Sequence, residues 1–240
     1  MKKLLILFVA ILSVSPALAQ IEDESDFGQL SSSRFEKPKS SAFFIGPKVG
    51  VTMTSMTQPA QCDLYDKSGI GFSGGVAMKA RFGKATENSY EGTGMFGVGL
   101  ELKYKQNNVK TIANEGDLKL GYFEVPVTLQ FYPFAKSKIM NPFYIELGAS
   151  FAGIMSKSPD ALTVNLNQPY PGNQSVTYPV GDLKGFDVRG VAGIGYTIPG
   201  TGVDINARYY LGTSELAKDF TSKMSTVEVS LSYYFQLARF

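Results

Sequence analysis

Residues 70–82 read IGFSGGVAMKARF. The even positions read Ile70, Phe72, Gly74, Val76, Met78, Ala80 and Phe82; the odd ones read Gly71, Ser73, Gly75, Ala77, Lys79 and Arg81. Side chains of a strand point alternately to opposite faces, so strict alternation over this length predicts a strand with one apolar face. The other face holds glycine, serine and two cations.

Seven more segments repeat the pattern. They are 43–53, 94–105, 119–132, 142–155, 186–197, 203–212 and 226–237. In the last, Val227, Val229, Leu231, Tyr233 and Phe235 alternate with Glu228, Ser230 and Ser232. Eight is an even count, as single-chain bacterial barrels require. The predicted fold is all-β, an eight-stranded antiparallel transmembrane barrel of the outer-membrane type. The connections alternate in length: 54–69, 106–118, 156–185 and 213–225 are long, whereas 83–93, 133–141 and 198–202 are shorter. Long outer loops and short periplasmic turns are the known asymmetry of such barrels, which predicts both termini in the periplasm.

A soluble eight-stranded barrel would turn its apolar face inward around a ligand. Three features favour lipid instead. Aromatic residues mark both ends of the apolar faces: Phe72 and Phe82, Phe96 and Tyr104, Phe123 and Phe131, Phe143 and Phe151, Phe186 and Tyr196, with Phe235 on the last strand. At roughly 3.3 Å per residue and a tilt near 40°, these spacings separate two aromatic girdles by about 20–25 Å, the height of a lipid-facing band. The opposite faces carry Glu101, Glu124, Glu146, Asp187, Asp204 and Glu228 beside Lys48, Lys79, Arg81, Lys103, Arg189 and Arg208. An eight-stranded interior is just wide enough for side chains to fill, and buried charges must be paired. These twelve are therefore expected to form a structural charge network in the lumen. Third, export without a disulfide framework suits a barrel closed by its own backbone hydrogen bonds.

The N-terminus supports export. Lys2 and Lys3, the apolar run Leu4–Leu12 and Ala17-Leu18-Ala19 form a signal-peptide pattern, too short for a spanning helix. Residues 1–19 are expected to be cleaved. Residues 20–42, with Glu22, Asp23, Glu24, Asp26 and a serine run, are expected to form a flexible periplasmic tail, followed by the barrel at 43–240.

Composition excludes much chemistry. The 240 residues include no histidine and one cysteine, Cys62, so neither a Ser-His or Cys-His pair nor the usual metal ligand is available. A formal charge of +2 gives no electrostatic footprint for nucleic acid. Mean hydropathy of −0.02 conceals an apolar wall because the alternation averages it away. Carboxylate chemistry by Glu124 and Glu146 is conceivable, but a structural network is the better reading. No enzyme activity and no cofactor are expected. The partners expected are outer-membrane lipid and, through loop 156–185 or tail 20–42, other envelope proteins; long loops on rigid scaffolds often bind. A narrow channel and a barrel that binds a small ligand or lipid remain as alternatives.

From residue 122 the wording resembles a known family. Tyr122-Phe123-Glu124-Val125-Pro126-Val127, then Phe131-Tyr132-Pro133 and Pro142-Phe143-Tyr144-Ile145-Glu146-Leu147-Gly148, are similar to strands of the PorT-like outer-membrane β-barrel domain of Bacteroidetes. Ile45-Gly46-Pro47-Lys48-Val49-Gly50 resembles its first strand and Leu231-Ser232-Tyr233-Tyr234-Phe235 its last. The resemblance covers residues 43 to 240 and implies the same barrel; one kind of member serves a secretion apparatus. One departure stands out. Phe240 is out of phase with Tyr233, Phe235 and Leu237. Either Phe235 ends the last strand with a short overhang, the favoured reading, or a bulge resets the phase.

Overall fold

The computed structural model describes residues 41–239, apart from 58–64, 83–93, 115, 136, 138, 167–173, 181–184 and 213–222. The signal-peptide segment, most of the tail, Cys62 and the turn at 83–93 therefore lie outside the described residues.

Eight long segments pair in sequence order into one antiparallel sheet: β1 (Ala42–Met56), β2 (Tyr65–Phe82), β3 (Phe96–Thr111), β4 (Leu118–Phe131), β5 (Phe143–Ser158), β8 (Phe186–Thr197), β9 (Val203–Gly212) and β10 (Met224–Tyr233). Pairing of β10 with β1, from Lys48–Ser232 to Met56–Met224, closes the barrel. Closure leaves no sheet edge, the condition for a strand structure in lipid. The predicted bounds 186–197 and 203–212 coincide with β8 and β9. By contrast, β2, β3 and β5 reach further, so that β3 runs to Thr111 and β5 to Ser158.

The last strand corrects the overhang expectation. After Tyr234, β11 (Phe235–Arg239) continues along β1, with a register shift between Phe43 and Phe44. Phe44 pairs with Gln236 and Phe43 with Ala238, which leaves Leu237 as the extra residue of a bulge. The chain returns to pairing because the ladder of β1 would otherwise be left open to the membrane. Close approach at this junction requires Gly46, where a Cβ would collide with the Tyr233 carbonyl.

Loop 156–185 is partly ordered into a hairpin, β6 (Ala161–Leu166) and β7 (Gln174–Pro179), a separate two-stranded sheet. Its base is tied down. Val180 N donates to Asp160 O at 2.9 Å, and Asn114 N donates to Thr163 O at 3.1 Å. Leu162 and Val180 sink into an apolar cluster with Val109, Leu118, Leu120, Tyr122, Ala152 and Met224. The barrel thus has a hairpin end, plugged by apolar side chains, and a short-turn end, where Ala42 lies beside Arg81 and Arg239.

On the outer face, aromatic residues fall into two ranks. Tyr104 pairs with Phe123, and its ring centroid is 6.0 Å from that of Phe72; Phe123 pairs with Gly153, which pairs with Phe186. Toward the short-turn end Phe82 pairs with Phe96 and Phe96 with Phe131, with the latter rings 5.6 Å apart, and Phe143 pairs with Tyr196. Between the ranks, Leu129, Leu147 and Ile194 are exposed. Phe151 and Phe235 are also exposed on this face.

Candidate functional site: the filled lumen

The polar face of every barrel strand points inward. All twelve charged residues singled out from sequence are buried there: Lys48 on β1; Lys79 and Arg81 on β2; Glu101 and Lys103 on β3; Glu124 on β4; Glu146 on β5; Asp187 and Arg189 on β8; Asp204 and Arg208 on β9; Glu228 on β10. Register sets Lys103 opposite Glu124 and Arg208 opposite Glu228 on neighbouring strands, whereas other ion pairs, such as Lys48 with Glu101 and Lys103 with Glu228, reach across the lumen between strands that do not pair.

Glu228 sits at the hub. Lys103 Nζ donates to both of its carboxylate oxygens at 2.8 Å, Ser73 Oγ donates to Oε1 at 3.1 Å, and Lys105 Nζ is 3.3 Å from Oε2. Glu101 receives Lys48 at 2.8 Å and Arg208 Nη1 at 2.8 Å. Arg208 also grips Glu146 with two nitrogens, Nε and Nη2, and the same carboxylate accepts from Asn206 at 2.7 Å and Thr128 at 3.1 Å. Arg189 bridges Glu124 and Asp187, both at 2.7 Å. Asp204 accepts from Thr197, Tyr144 and Lys79 at 2.7, 3.0 and 3.3 Å.

In the central lumen, five cations (Lys48, Lys103, Lys105, Arg189, Arg208) meet five carboxylates (Glu101, Glu124, Glu146, Asp187, Glu228) among the described residues. Such matching is what burial demands, since an uncompensated ion in low dielectric costs several kcal/mol. Glu124 and Glu146, the pair considered for carboxylate chemistry, are each held by an arginine within this network.

Sequence reading missed part of the lining. Lys105 is fully buried, but it stood at the expected end of its strand; alternation continuing to Val109 would have placed it inside. Five tyrosines, 122, 132, 144, 210 and 234, also point inward. Each shares the parity of the charges on the strand it lies on or directly follows. Tyr210 carries Lys105 Nζ 3.4 Å above its ring and accepts a hydrogen bond from Lys103 at 2.7 Å; Tyr122 lies under Arg189 and Tyr132 under Arg81. Cation–π contacts of this kind gain strength when desolvated. Gly195 makes room for one such ring, since a Cβ there would overlap Tyr144. Among the described residues, no group of three or more histidine, cysteine, aspartate or glutamate side chains could hold a metal ion.

A closed eight-stranded barrel with an apolar outer wall, two aromatic ranks and a charge-filled interior defines the outer-membrane barrel class. The model of the outer membrane protein beta-barrel domain matches residues 27–217, and the chain belongs to that family. Among solved structures, Neisserial surface protein A (NspA) shares 14% identity, over 82% of this chain and 99% of that one, with a TM-score of 0.42. Ail, the attachment invasion locus protein of Yersinia pestis, shares 19% identity over 81% and 99%, with a TM-score of 0.41. OprG from Pseudomonas aeruginosa shares 13% over 82% and 97%, with a TM-score of 0.37. No curated protein sequence matches the chain. The chain is thus an outer-membrane β-barrel protein.

Proposed function

We propose that this barrel has a structural or interaction role in the cell envelope and conducts no solute, and that it is not an enzyme. The filled lumen carries the reading: the central ion-pair network and the apolar plug around Leu120 and Leu162 occupy the space a pore would need. What remains for recognition is outside the barrel. The β6–β7 hairpin rises from a base anchored by Leu162 and Val180, a fixed platform for contact with another envelope protein. The tail at 20–42 is the second candidate surface.

In this reading the hairpin end faces outward and both termini face the periplasm, supported by the lengths of the connections. Residues 1–19 act as the signal peptide, and the two aromatic ranks are girdles at the lipid boundaries. The stretches around Glu124-Val125-Pro126 and Pro142–Gly148 support placement with the PorT-like group of Bacteroidetes, where a role beside a secretion apparatus is one form the interaction could take.

Deleting 161–179, and separately 20–40, tests the proposal by affinity purification from cross-linked envelopes. At least one deletion is expected to lose a partner while the barrel still folds. Identical partners after both deletions would contradict it. The channel alternative predicts discrete steps in planar bilayers; conductance indistinguishable from leak is expected.

A further inference from the structure

At the short-turn end the apolar wall does not stop at its aromatic rank. The turn between β4 and β5, residues 133–141, has two unlike sides. One packs on the barrel mouth: Ala135 and Asn141 are buried, and Arg81 donates to the Asn141 side chain. The other exposes Phe134, Ile139 and Met140. Ile139 is 73% exposed, more than Leu147 at 62% in the middle of the wall. Two contacts hold this side against the outer face of the barrel. The Phe134 ring lies 5.9 Å from that of Phe143, and the Tyr196 hydroxyl donates to the Ile139 carbonyl at 3.0 Å. Phe143 and Tyr196 are paired members of the rank itself. The backbone of the turn is also tied up internally. Ser137 N donates to Phe134 O at 2.8 Å, Asn141 N to Ser137 O at 3.1 Å, and Phe143 N to Met140 O at 2.9 Å, while Met140 N donates to Ser137 Oγ at 3.2 Å.

From this geometry we infer that the turn is a lipid anchor: Phe134, Ile139 and Met140 sit in the interfacial layer of the membrane, beyond the aromatic rank. Exposed apolar patches mark contact with protein or membrane. Lipid is the occupant here because the patch continues the lipid-facing wall without a break, through Phe143 and Tyr196. A segment that leaves water must pair its backbone groups within the protein, and the bonds within 134–143 do so. The Tyr196 hydroxyl serves the same end by reaching over the outer face to a carbonyl of the turn. Headgroups add about 5–8 Å per leaflet to the hydrocarbon, deep enough for a ring seated 5.9 Å from that of Phe143. Residues 133–141 include no acidic side chain for lipid phosphates to repel. The inference rests on the aromatic ranks as lipid boundaries, and it is independent of the hairpin's partner and of which leaflet the short-turn end occupies.

Nitroxide labels on Ile139→Cys, Phe134→Cys, Leu147→Cys and Thr177→Cys, each made singly in protein carrying Cys62→Ser, test this in vesicles of phosphatidylethanolamine and phosphatidylglycerol. Collision with a water-soluble nickel chelate is expected to be severalfold lower at Ile139 and Phe134 than at Thr177, and collision with oxygen higher. Nickel collision at Ile139 and Phe134 equal to that at Thr177, with Leu147 still shielded, would overturn the inference and leave the patch to a protein. Spin–spin broadening at Ile139 that vanishes on dilution with unlabelled barrel would overturn it in favour of a second copy. Nickel reaching Leu147 as well would overturn the lipid-facing wall on which the inference rests.

Discussion

Replacing Glu228 by alanine is expected to destabilise the barrel by about 3–5 kcal/mol, the penalty for leaving buried charges without their partner. The carboxylate accepts two bonds from Lys103 and one from Ser73, and lies 3.3 Å from Lys105. Removing it leaves two almost wholly buried ammonium groups with only longer carboxylate contacts, Lys105 to Glu124 at 3.4 Å and Lys103 to Glu101 at 3.6 Å, and the central lumen with one cation in excess. Urea unfolding in lipid vesicles reads the loss as a lower midpoint at unchanged slope. The damage comes from the excess buried positive charge, so Glu228→Gln combined with Lys105→Met should recover much of it by restoring charge balance. A cost below about 1 kcal/mol for Glu228→Ala, the value of a surface pair, would mean that water reaches the network freely.

Leu147→Arg should be comparably severe for the opposite reason. Leu147 is 62% exposed on the outer wall of β5, midway between Phe143 and Phe151. Arginine at the midplane of a membrane barrel's lipid face costs about 2–4 kcal/mol, falling to about 0–1 near the interface. Met155, on the same strand and 68% exposed, lies beyond Phe151 toward the hairpin end. Met155→Arg is therefore expected to be nearly neutral. Equal effects at the two positions, measured by unfolding in vesicles, would contradict a lipid band bounded by the aromatic ranks. The contrast matters because solvent exposure alone ranks Met155 as the more open site.

Much of this barrel was legible in the chain because a strand's period of two turns a difference of environment into a printed alternation. All eight barrel strands carry it, and Glu124, Glu146, Arg189 and Arg208 could be assigned to one interior by parity alone. Where the two faces are chemically alike, the signal fades. Residues 106–111, QNNVKT, are polar on both sides apart from Val109, so alternation does not mark the extension of β3 and Lys105 falls at the strand's expected end. The β6–β7 hairpin was hidden for a similar reason: six-residue strands flanked by prolines resemble loop sequence. The interior tyrosines escape a rule that assigns aromatic residues to the lipid face, although Tyr132 and Tyr144 share parity with Gln130 and Glu146. The bulge at Leu237 shows itself in sequence only as the phase slip before Phe240, which an overhang explains as well.

The apolar face of this barrel meets lipid while the charged face fills the interior. A nitroxide spin label at Leu147 tests it most directly, in protein carrying Cys62→Ser and reconstituted into bilayers, with a label at Thr177 of the hairpin as the aqueous reference. The Leu147 label is expected to collide with oxygen and to be shielded from a water-soluble nickel chelate, with the reverse order at Thr177. Nickel accessibility at Leu147 equal to that at Thr177 would contradict it.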